Sequence, residues 1–201
     1  MPDIRYSRIV VGGYELMTLN VKQWLIDVLK AEFDEITGGT AQGAKEAGFP
    51  VVEVMGAWPQ TDANFPVLSV ESLGMNVTGQ FIGQVIGDSD GQTFGETFGE
   101  QYQITLHTVQ YPQRDVIREI LKAVVFIRLR ELMAVEGVEN AVVSGFTDHQ
   151  VTDEKPQTYY LTDATISLDV PHVYRPFSAD DREGVRVSRV DVVEHFEESD
   201  G

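Results

Sequence analysis

The sequence predicts an α+β fold: a mixed or antiparallel β-sheet packed against one long and one shorter α-helix, with a long β-hairpin loop and a C-terminal extension. Two segments have the apolar spacing of amphipathic helices, and the residues between and after them are β-branched, aromatic and interrupted by Gly, Pro and Asp. The chain has 201 residues, 42% of them hydrophobic, which is enough for one substantial core. We therefore expect a single domain over residues 1–175, with residues 1–19 as an N-terminal arm, and an acidic extension with a short strand over residues 176–201.

The shorter helix is predicted from Val21 to Ile36, where apolar residues recur three and four positions apart. Asn20 is placed as its N-cap, and the pair Gly38–Gly39 ends it. The small and polar residues 40–48 are predicted to form a loop. The segment before the helix, residues 2–17, is either an ordered arm or a short strand.

Residues 49–111 have the composition of several strands joined by turns. The segment Gly87–Gly99 is rich in Gly and acidic residues and is predicted to form the long, mobile hairpin loop. Aromatic residues exposed in such a loop commonly meet a partner surface. The candidate partner-contact residues are Phe94, Glu96, Phe98 and Glu100. The predicted strands are Pro50–Ala57, Val67–Leu73, Asn76–Ile86 and Gln101–Val109.

The longer helix is predicted from about Arg114 to Val135, following Pro112. Its apolar residues cover more than one stripe, so we expect one face to meet the sheet and another to meet a second helix or another subunit. Positive charge gathers on this helix in an otherwise acidic chain. Ion pairs with a neighbouring subunit are one interpretation and a solvated face is the other. The candidate subunit-interface residues are Arg114, Arg118, Arg128 and Arg130.

A final pair of strands is predicted at Asn140–Phe146 and Tyr159–Val170, separated by the polar loop Thr147–Thr158. The even-numbered residues of the second strand form an apolar face, which predicts an amphipathic strand. After Pro171 a short run contains alternating valines within residues 185–192. That run either pairs with a neighbouring subunit or forms a last strand in its own sheet.

The charge balance excludes several classes of function. Asp and Glu number 32 against 15 Lys and Arg, a net charge of −17, and this argues against a protein that binds nucleic acid or an anionic membrane. Such acidity is typical either of adaptation to concentrated salt or of an ordinary acidic surface. The sequence has no cysteine, which excludes disulfides and thiolate chemistry. It also has no apolar run of the roughly 18 residues that a membrane-spanning helix needs, so we expect a soluble protein.

The sequence offers little support for catalysis or cofactor binding. The four histidines have no partner at metal-ligand spacing, and no nucleophile elbow or phosphate-binding loop occurs. The neighbours Asp148 and His149 are expected to point to opposite sides of a strand. The turn-like segment Asp88–Gly91, with Glu96 downstream, is either a tight turn or a calcium site, and the spacing favours the turn. We therefore expect no enzyme, no cofactor and no metal. Under the alternative hypothesis that the protein is an enzyme, Asp148, His149 and Glu154 would be the acid–base residues.

The order of elements resembles that of the tail-terminator and tail-completion proteins of long-tailed viruses. The order is an amphipathic helix, a run of strands with a long loop, a long helix and two last strands. The residues that carry the resemblance are Val21–Ile36, Phe65–Val67, Tyr102–Leu106 running into Arg114–Arg118, and Tyr159–Val170.

The resemblance implies a non-enzymatic structural virion protein that forms a homo-oligomeric ring, with a hexamer favoured, at the head–tail junction. The ring would cap the tail tube and join it to head-connector or adaptor proteins. DNA would pass through the lumen without specific binding, and no membrane would be involved. The protein would be assembled in the host cytoplasm and located in the tail or neck of the virion; a halophilic host fits the acidity. The alternative is a small-molecule or calcium-binding module of a halophilic cell.

Overall fold

The computed structural model describes residues 6–11, 14–59, 65–77, 84–85, 94–134, 138–152 and 158–176. This part of the chain is an α+β structure with a mixed, curled sheet and three helices. The predicted fold class is confirmed at that level. The strands are β1 (Tyr6–Val11), β2 (Tyr14–Leu19), β3 (Glu53–Met55), β4 (Val67–Val77), β5 (Gln84–Val85), β6 (Phe94–Thr108), β7 (Glu139–Thr152) and β8 (Thr158–Pro176). The helices are α1 (Val21–Thr37), α2 (Ala41–Ala47) and α3 (Tyr111–Leu132).

The sheet is built around the two longest strands, β6 and β8, which pair antiparallel along almost their whole length. The strand order is β1-β2-β8-β6-β4-β3, with β5 also pairing with β6 and β7 also pairing with β8. Only β3 and β4 are parallel among the described pairs. One edge of β8 is shared, because β7 pairs with residues 158–169 and β2 with residues 173–176.

The core lies between one face of this sheet and helices α1 and α3. Side chains alternate across a strand, so the even-numbered residues of β6 and β8 share the face that meets the helices. Tyr102, Ile104 and Leu106 are buried on that face, as their alternation predicts. The amphipathic strand predicted at the end of the chain is confirmed as well. Its buried core residues are Ala164, Ile166, Leu168 and Val170.

Helix α1 has the bounds and caps that the sequence predicts. The Asn20 side chain accepts a hydrogen bond from the backbone N–H of Gln23 at 3.1 Å. Gly38 ends the helix in the left-handed conformation, with φ of 62°. Its apolar stripe is buried in the core. The residues of that stripe include Trp24, Leu25, Val28, Leu29 and Phe33.

The prediction of a loop over residues 40–48 is wrong, because this segment forms the short helix α2. Thr40 caps it by accepting a hydrogen bond from the Gly43 N–H at 3.0 Å, and Gly48 ends it with φ of 66°. The Gln42 side chain donates to Glu46 one turn later, at 2.6 Å. Seven residues are too few to show a clear apolar period, so only the capping residues Thr40 and Gly48 could have indicated a helix here.

Several strand boundaries also differ from the prediction, and the strand predicted at Pro50–Ala57 spans only Glu53–Met55. The separate strands predicted at Val67–Leu73 and from Asn76 onward form one strand, β4, whose register shifts between Ser72 and Gly74. Residues 147–152, predicted as loop, extend β7. The N-terminal segment, left open between arm and strand, forms the strands β1 and β2, and β2 joins the sheet through β8. The predicted C-terminal strand lies outside the described residues.

Candidate functional site

The residues predicted to contact a partner from a loop lie in β6 instead. Phe94 is the first residue of β6 and pairs with Tyr174 of β8. The loop prediction is therefore wrong for residues 94–99, where pairing with β8 outweighs the low strand propensity of the glycines. Residues 86–93 lie outside the described part of the chain. Glu96 and Phe98 are half-buried.

Glu100 belongs to a buried polar cluster. It is 5% exposed and accepts a hydrogen bond from the hydroxyl of Tyr102. The Nε2 atom of His172 lies 3.2 Å from its Oε1 atom. The ring of Phe98 packs against the imidazole of His172 at 4.3 Å between centroids. This buried position contradicts the prediction that Glu100 contacts a partner.

The chemistry of this cluster favours a structural role. Burial raises the pKa of Tyr102, and the hydrogen bond to Glu100 and the charge of that carboxylate raise it further. The phenol therefore remains protonated and continues to donate to the carboxylate. Because Tyr102 and His172 are also nearly inaccessible, the cluster joins β6 to β8 in the interior and has no surface from which to act on a substrate.

The arginines at the start of α3 form ion pairs with β7 in the same subunit. Arg114 is buried and lies 3.4 Å from the carboxylate of Asp148, and Arg118 donates to the same carboxylate. Thr162 donates to the other oxygen of Asp148 at 2.7 Å. Burial acts to raise the pKa of Asp148, but the hydrogen bond from Thr162 and the two guanidinium charges together lower it. These contacts attach α3 to β7.

Farther along α3, Arg128 connects the two long helices. It donates to Glu32 of α1 and, at 2.7 Å, to Glu131 on its own helix. The hydrogen bonds that Arg128 donates to Glu131 and Glu32 raise the pKa of Arg128. Of the four predicted subunit-interface arginines, Arg114 is therefore buried, and Arg118 and Arg128 form ion pairs within the subunit. Arg130 is exposed, so its proposed interface role remains a prediction.

A second polar cluster, which the sequence did not indicate, lies on the sheet face that is turned away from the helices. The hydroxyl of Ser69 and Nε2 of His107 are 3.0 Å apart, and the ring of Trp58 meets the imidazole edge-on at 4.5 Å. Asp163 accepts a hydrogen bond from Thr105 at 2.7 Å on the neighbouring strand. Ser69 and His107 are 1% and 3% exposed, so neither is accessible as a nucleophile or base.

The two neighbours Asp148 and His149 point to opposite faces of β7, as strand alternation requires. Asp148 contacts α3, whereas the Nδ1 atom of His149 lies 3.6 Å from the carboxylate of Asp163, a member of the second polar cluster. They do not form an acid–base pair. Of the predicted acid–base set, Glu154 lies outside the described residues.

His107 should make the stability of the fold depend on pH. Burial is the main cause that lowers the pKa of His107 to about 4; Asp163 acts against this shift and His149 adds to it. The unfolded chain therefore binds more protons than the folded one between about pH 6.5 and 4. The stabilisation is complete above that window and is lost as the pH falls through it, with a slope of up to about 1.4 kcal/mol per pH unit.

Urea unfolding at a series of pH values in molar salt measures this slope. The His107→Gln variant should have a flatter pH dependence than the wild type above pH 5, where few carboxylates titrate. The matched control, His149→Gln, removes a half-buried neighbour that is the smallest cause of the shift and should keep most of the slope. Equal slopes for the wild type and His107→Gln would contradict the assignment.

The described residues hold no group of three His, Cys, Asp or Glu side chains suited to a metal ion. The segment Asp88–Gly91 lies outside them, and Glu96, its predicted downstream carboxylate, lies in β6. The choice between a turn and a calcium site there stays a prediction. A groove of about 520 Å³ opens between α1 and β3. Its lining residues include Lys30, Asp34, Val51, Glu53 and Phe65.

The outer surface of α3 exposes large apolar side chains. Phe126 is 60% exposed and Ile127 is 58% exposed, both on α3. Exposed apolar groups concentrated on one part of a surface commonly mark a contact with another protein. This surface was partly expected, since the helix has more apolar residues than one stripe can hold. The exposed apolar residues of α3 and its C-cap are Tyr111, Val116, Phe126, Ile127 and Met133; Val142 and Val151 of β7 are also exposed, but on the sheet face turned away from the helices.

Four strands of the described sheet, β1, β3, β5 and β7, have a partner strand on one side only, and β1 and β7 are the longest of them. β1 pairs only with β2, and β7 only with β8. The open edge of β7 is long, at 14 residues. Free backbone donors and acceptors along such an edge favour pairing with another chain, and the two register shifts in β7 limit how regular that pairing can be.

Among the described residues, none of the helices combines the length and the apolar character that crossing a membrane requires. Comparison of the sequence with models of known protein families, and with curated proteins, gave no match in either case. The order of the elements and the surface that they expose are therefore the features that indicate a function.

Proposed function

We propose that this protein is a structural virion protein that forms an oligomeric ring at the head–tail junction of a long-tailed virus, where it caps the tail tube and joins it to the head connector. The observation that carries the proposal is the order of elements around a single sheet. The early helix α1, the strand group ending in β6, the long helix α3 and the final pair β7 and β8 follow the order on which the resemblance is based.

The free surfaces support assembly with other subunits. A ring protein needs lateral contacts on two sides, and the open edges of β1 and β7 provide surfaces for them. The polar clusters are buried and hold the sheet together, so they leave little from which to build an active site. This supports an assembly role without catalysis.

The long hairpin loop is proposed to contact the tail tube or the connector. Strands β5 and β6 pair antiparallel, from Gln84↔Gly95 to Val85↔Phe94, so residues 86–93 connect the two strands of a hairpin. The sequence of this connection is polar and rich in Gly. The C-terminal extension after Pro176 is proposed as a second contact with neighbouring subunits.

The net charge of −17 suits the proposed place of the protein. Carboxylates lining a lumen repel DNA phosphates, which lets DNA pass without binding. The same charge makes subunits repel one another at low ionic strength, and salt screens this repulsion. In a virus of a halophilic host, the acidic lumen would repel DNA while the high salt concentration would screen the repulsion between subunits.

The rival function is a small-molecule or calcium-binding module. The groove between α1 and β3 is the observation that favours it, because pockets of 300–1,000 Å³ are typical of ligand sites. Lys30 lines the groove together with Asp34 and Glu53, and a cation there opposes calcium binding, which makes this the second choice. Calcium binding measured by calorimetry, and lost in the Asp88→Ala and Asp90→Ala variants, would support the rival.

The native mass of the purified protein tests the proposal. Light scattering is expected to show a closed oligomer that is more stable at molar salt than at low salt, because screening reduces the repulsion between acidic subunits. Electron microscopy of the same sample should show rings with a central channel. A monomer under both salt conditions, even at high protein concentration, would contradict ring formation.

A further inference from the structure

Helix α3 carries a second periodic stripe directly opposite its buried one. Its residues are spaced alternately three and four positions apart, the spacing that keeps side chains on one side of a helix. All six are exposed, and Val116, Phe126 and Met133 are 53%, 60% and 48% exposed. The stripe consists of Val116, Glu119, Ala123, Phe126, Arg130 and Met133.

This outer stripe is complementary to itself when a second copy of α3 runs antiparallel across it. A two-fold axis midway between Val124 and Val125 brings together residues at equal distances from that point. Apolar residues then meet apolar ones, the acid meets the base, and the smallest side chain meets the largest. The pairs are Val116 with Met133, Glu119 with Arg130, and Ala123 with Phe126.

The charges of the chain also favour this helix as the meeting point of two copies. Within α3 five Lys and Arg residues stand against three Asp and Glu residues, whereas the whole chain has a net charge of −17. Two copies therefore approach with less repulsion here than on an average part of the surface. The side chain of Arg130 forms no ion pair within the described residues, while the exposed Glu119 carboxylate pairs through Oε1 with Arg118 at 3.2 Å and Lys122 at 2.9 Å on its own helix.

The outer stripe belongs to a helix that is held in place on both sides. Arg118 is paired with Asp148 of β7, and Arg128 is paired with Glu32 of α1. A helix fixed in this way presents its outer side chains without first having to become ordered, which lowers the cost of association.

We propose that the outer stripe of α3 is a two-fold contact between two copies of this chain, packed antiparallel and aligned by two Glu119–Arg130 ion pairs. The contact is separate from the proposed ring, because a two-fold contact closes with two copies and leaves the strand edges free. Without a ring it gives a dimer. With a ring it joins two rings back to back.

The size of the contact predicts a weak association. From Val116 to Met133 the stripe is about 26 Å long at 1.5 Å per residue, and a single helix pair of that length lies at the small end of specific interfaces. The contact should therefore be measured over a range of protein concentrations. Molar salt should strengthen it, because the repulsion between two highly acidic chains is long-range, whereas exposed ion pairs contribute little each.

Charge reversal on the outer stripe provides the test. Sedimentation velocity should show that Glu119→Arg and Arg130→Glu each weaken the two-fold contact by about tenfold or more, since each places like charges together twice. The native mass should halve, from dimer to monomer or from double ring to single ring. The combined variant E119R/R130E should recover the wild-type mass. A mixture of the two single variants should form the mixed pair, in which every Arg again faces a Glu.

A matched control separates the contact from net charge. Glu35→Arg makes the same charge change on an exposed position of α1 and should leave the two-fold contact intact. The proposal is overturned if the wild type shows no two-fold association at any concentration or salt, or if E119R associates as the wild type does. It is also overturned if the mixed single variants do not pair. A single ring with no doubling would support the proposed function while rejecting this contact.

Discussion

His172→Leu is expected to destabilise the folded protein by about 3–5 kcal/mol, as removal of one partner from a buried polar pair does. Glu100 and His172 are each 5% exposed, and His172 Nε2 lies 3.2 Å from the Glu100 carboxylate. Leucine fills a similar volume but offers no hydrogen bond. The carboxylate would then remain in the interior with Tyr102 as its single side-chain partner in the described structure.

Guanidinium unfolding of the wild type and of His172→Leu at neutral pH measures this loss. The control is the triple variant Glu100→Leu, Tyr102→Phe, His172→Leu, which removes every polar member of the cluster. It should regain most of the stability, because apolar groups of similar shape replace a buried polar network at little cost. A loss below about 1 kcal/mol in His172→Leu would show that the cluster is hydrated and not part of the interior.

Phe33→Ala should cost a similar amount, about 3–5 kcal/mol, for a different reason. Phe33 is 1% exposed in the core and stacks on Phe49 at 6.3 Å between ring centroids. Its removal leaves a cavity between α1 and the segment that follows α2. The loss combines the transfer free energy of the ring with the contacts that its neighbours no longer make.

The same change on α3 is the control for this second prediction. Phe126 is 60% exposed, with only Phe146 at 6.4 Å as a described ring partner. Phe126→Ala should therefore change the unfolding free energy of the monomer by less than about 1 kcal/mol. Similar losses in the two variants would mean that the outer surface of α3 is covered within the subunit.

The parts of the fold that the sequence predicted well are those in which local signals and burial agree. Asn20, the apolar stripe and Gly38 mark α1 together, and alternation along β8 identifies its buried face. The errors occurred where long-range pairing decided the structure. Residues 94–99 look like a loop in isolation, and pairing with β8, some 70 residues away, and with β4 and β5 makes them a strand.

The polar clusters were the least predictable features. Ser69, His107 and Asp163 meet because β4, β6 and β8 are neighbours in register, and no local spacing encodes that. Likewise, the number of arginines on α3 was evident, but their partners Glu32 and Asp148 lie on other elements. A contact across a sheet or between helices depends on which elements are neighbours in the fold. The local spacing of residues in a single sequence does not show which elements these are.

The shared edge of β8 also bears on how the chain reaches its folded state. Tyr14 pairs with Pro176, 162 positions later, so β2 can pair locally with β1 but cannot join the rest of the sheet until nearly all of the described chain has left the ribosome. Closing so long a loop is slow compared with forming a helix or a local hairpin. We therefore expect α1 and α3 to gain structure first, and the attachment of the N-terminal strands to be the late, rate-limiting event in folding.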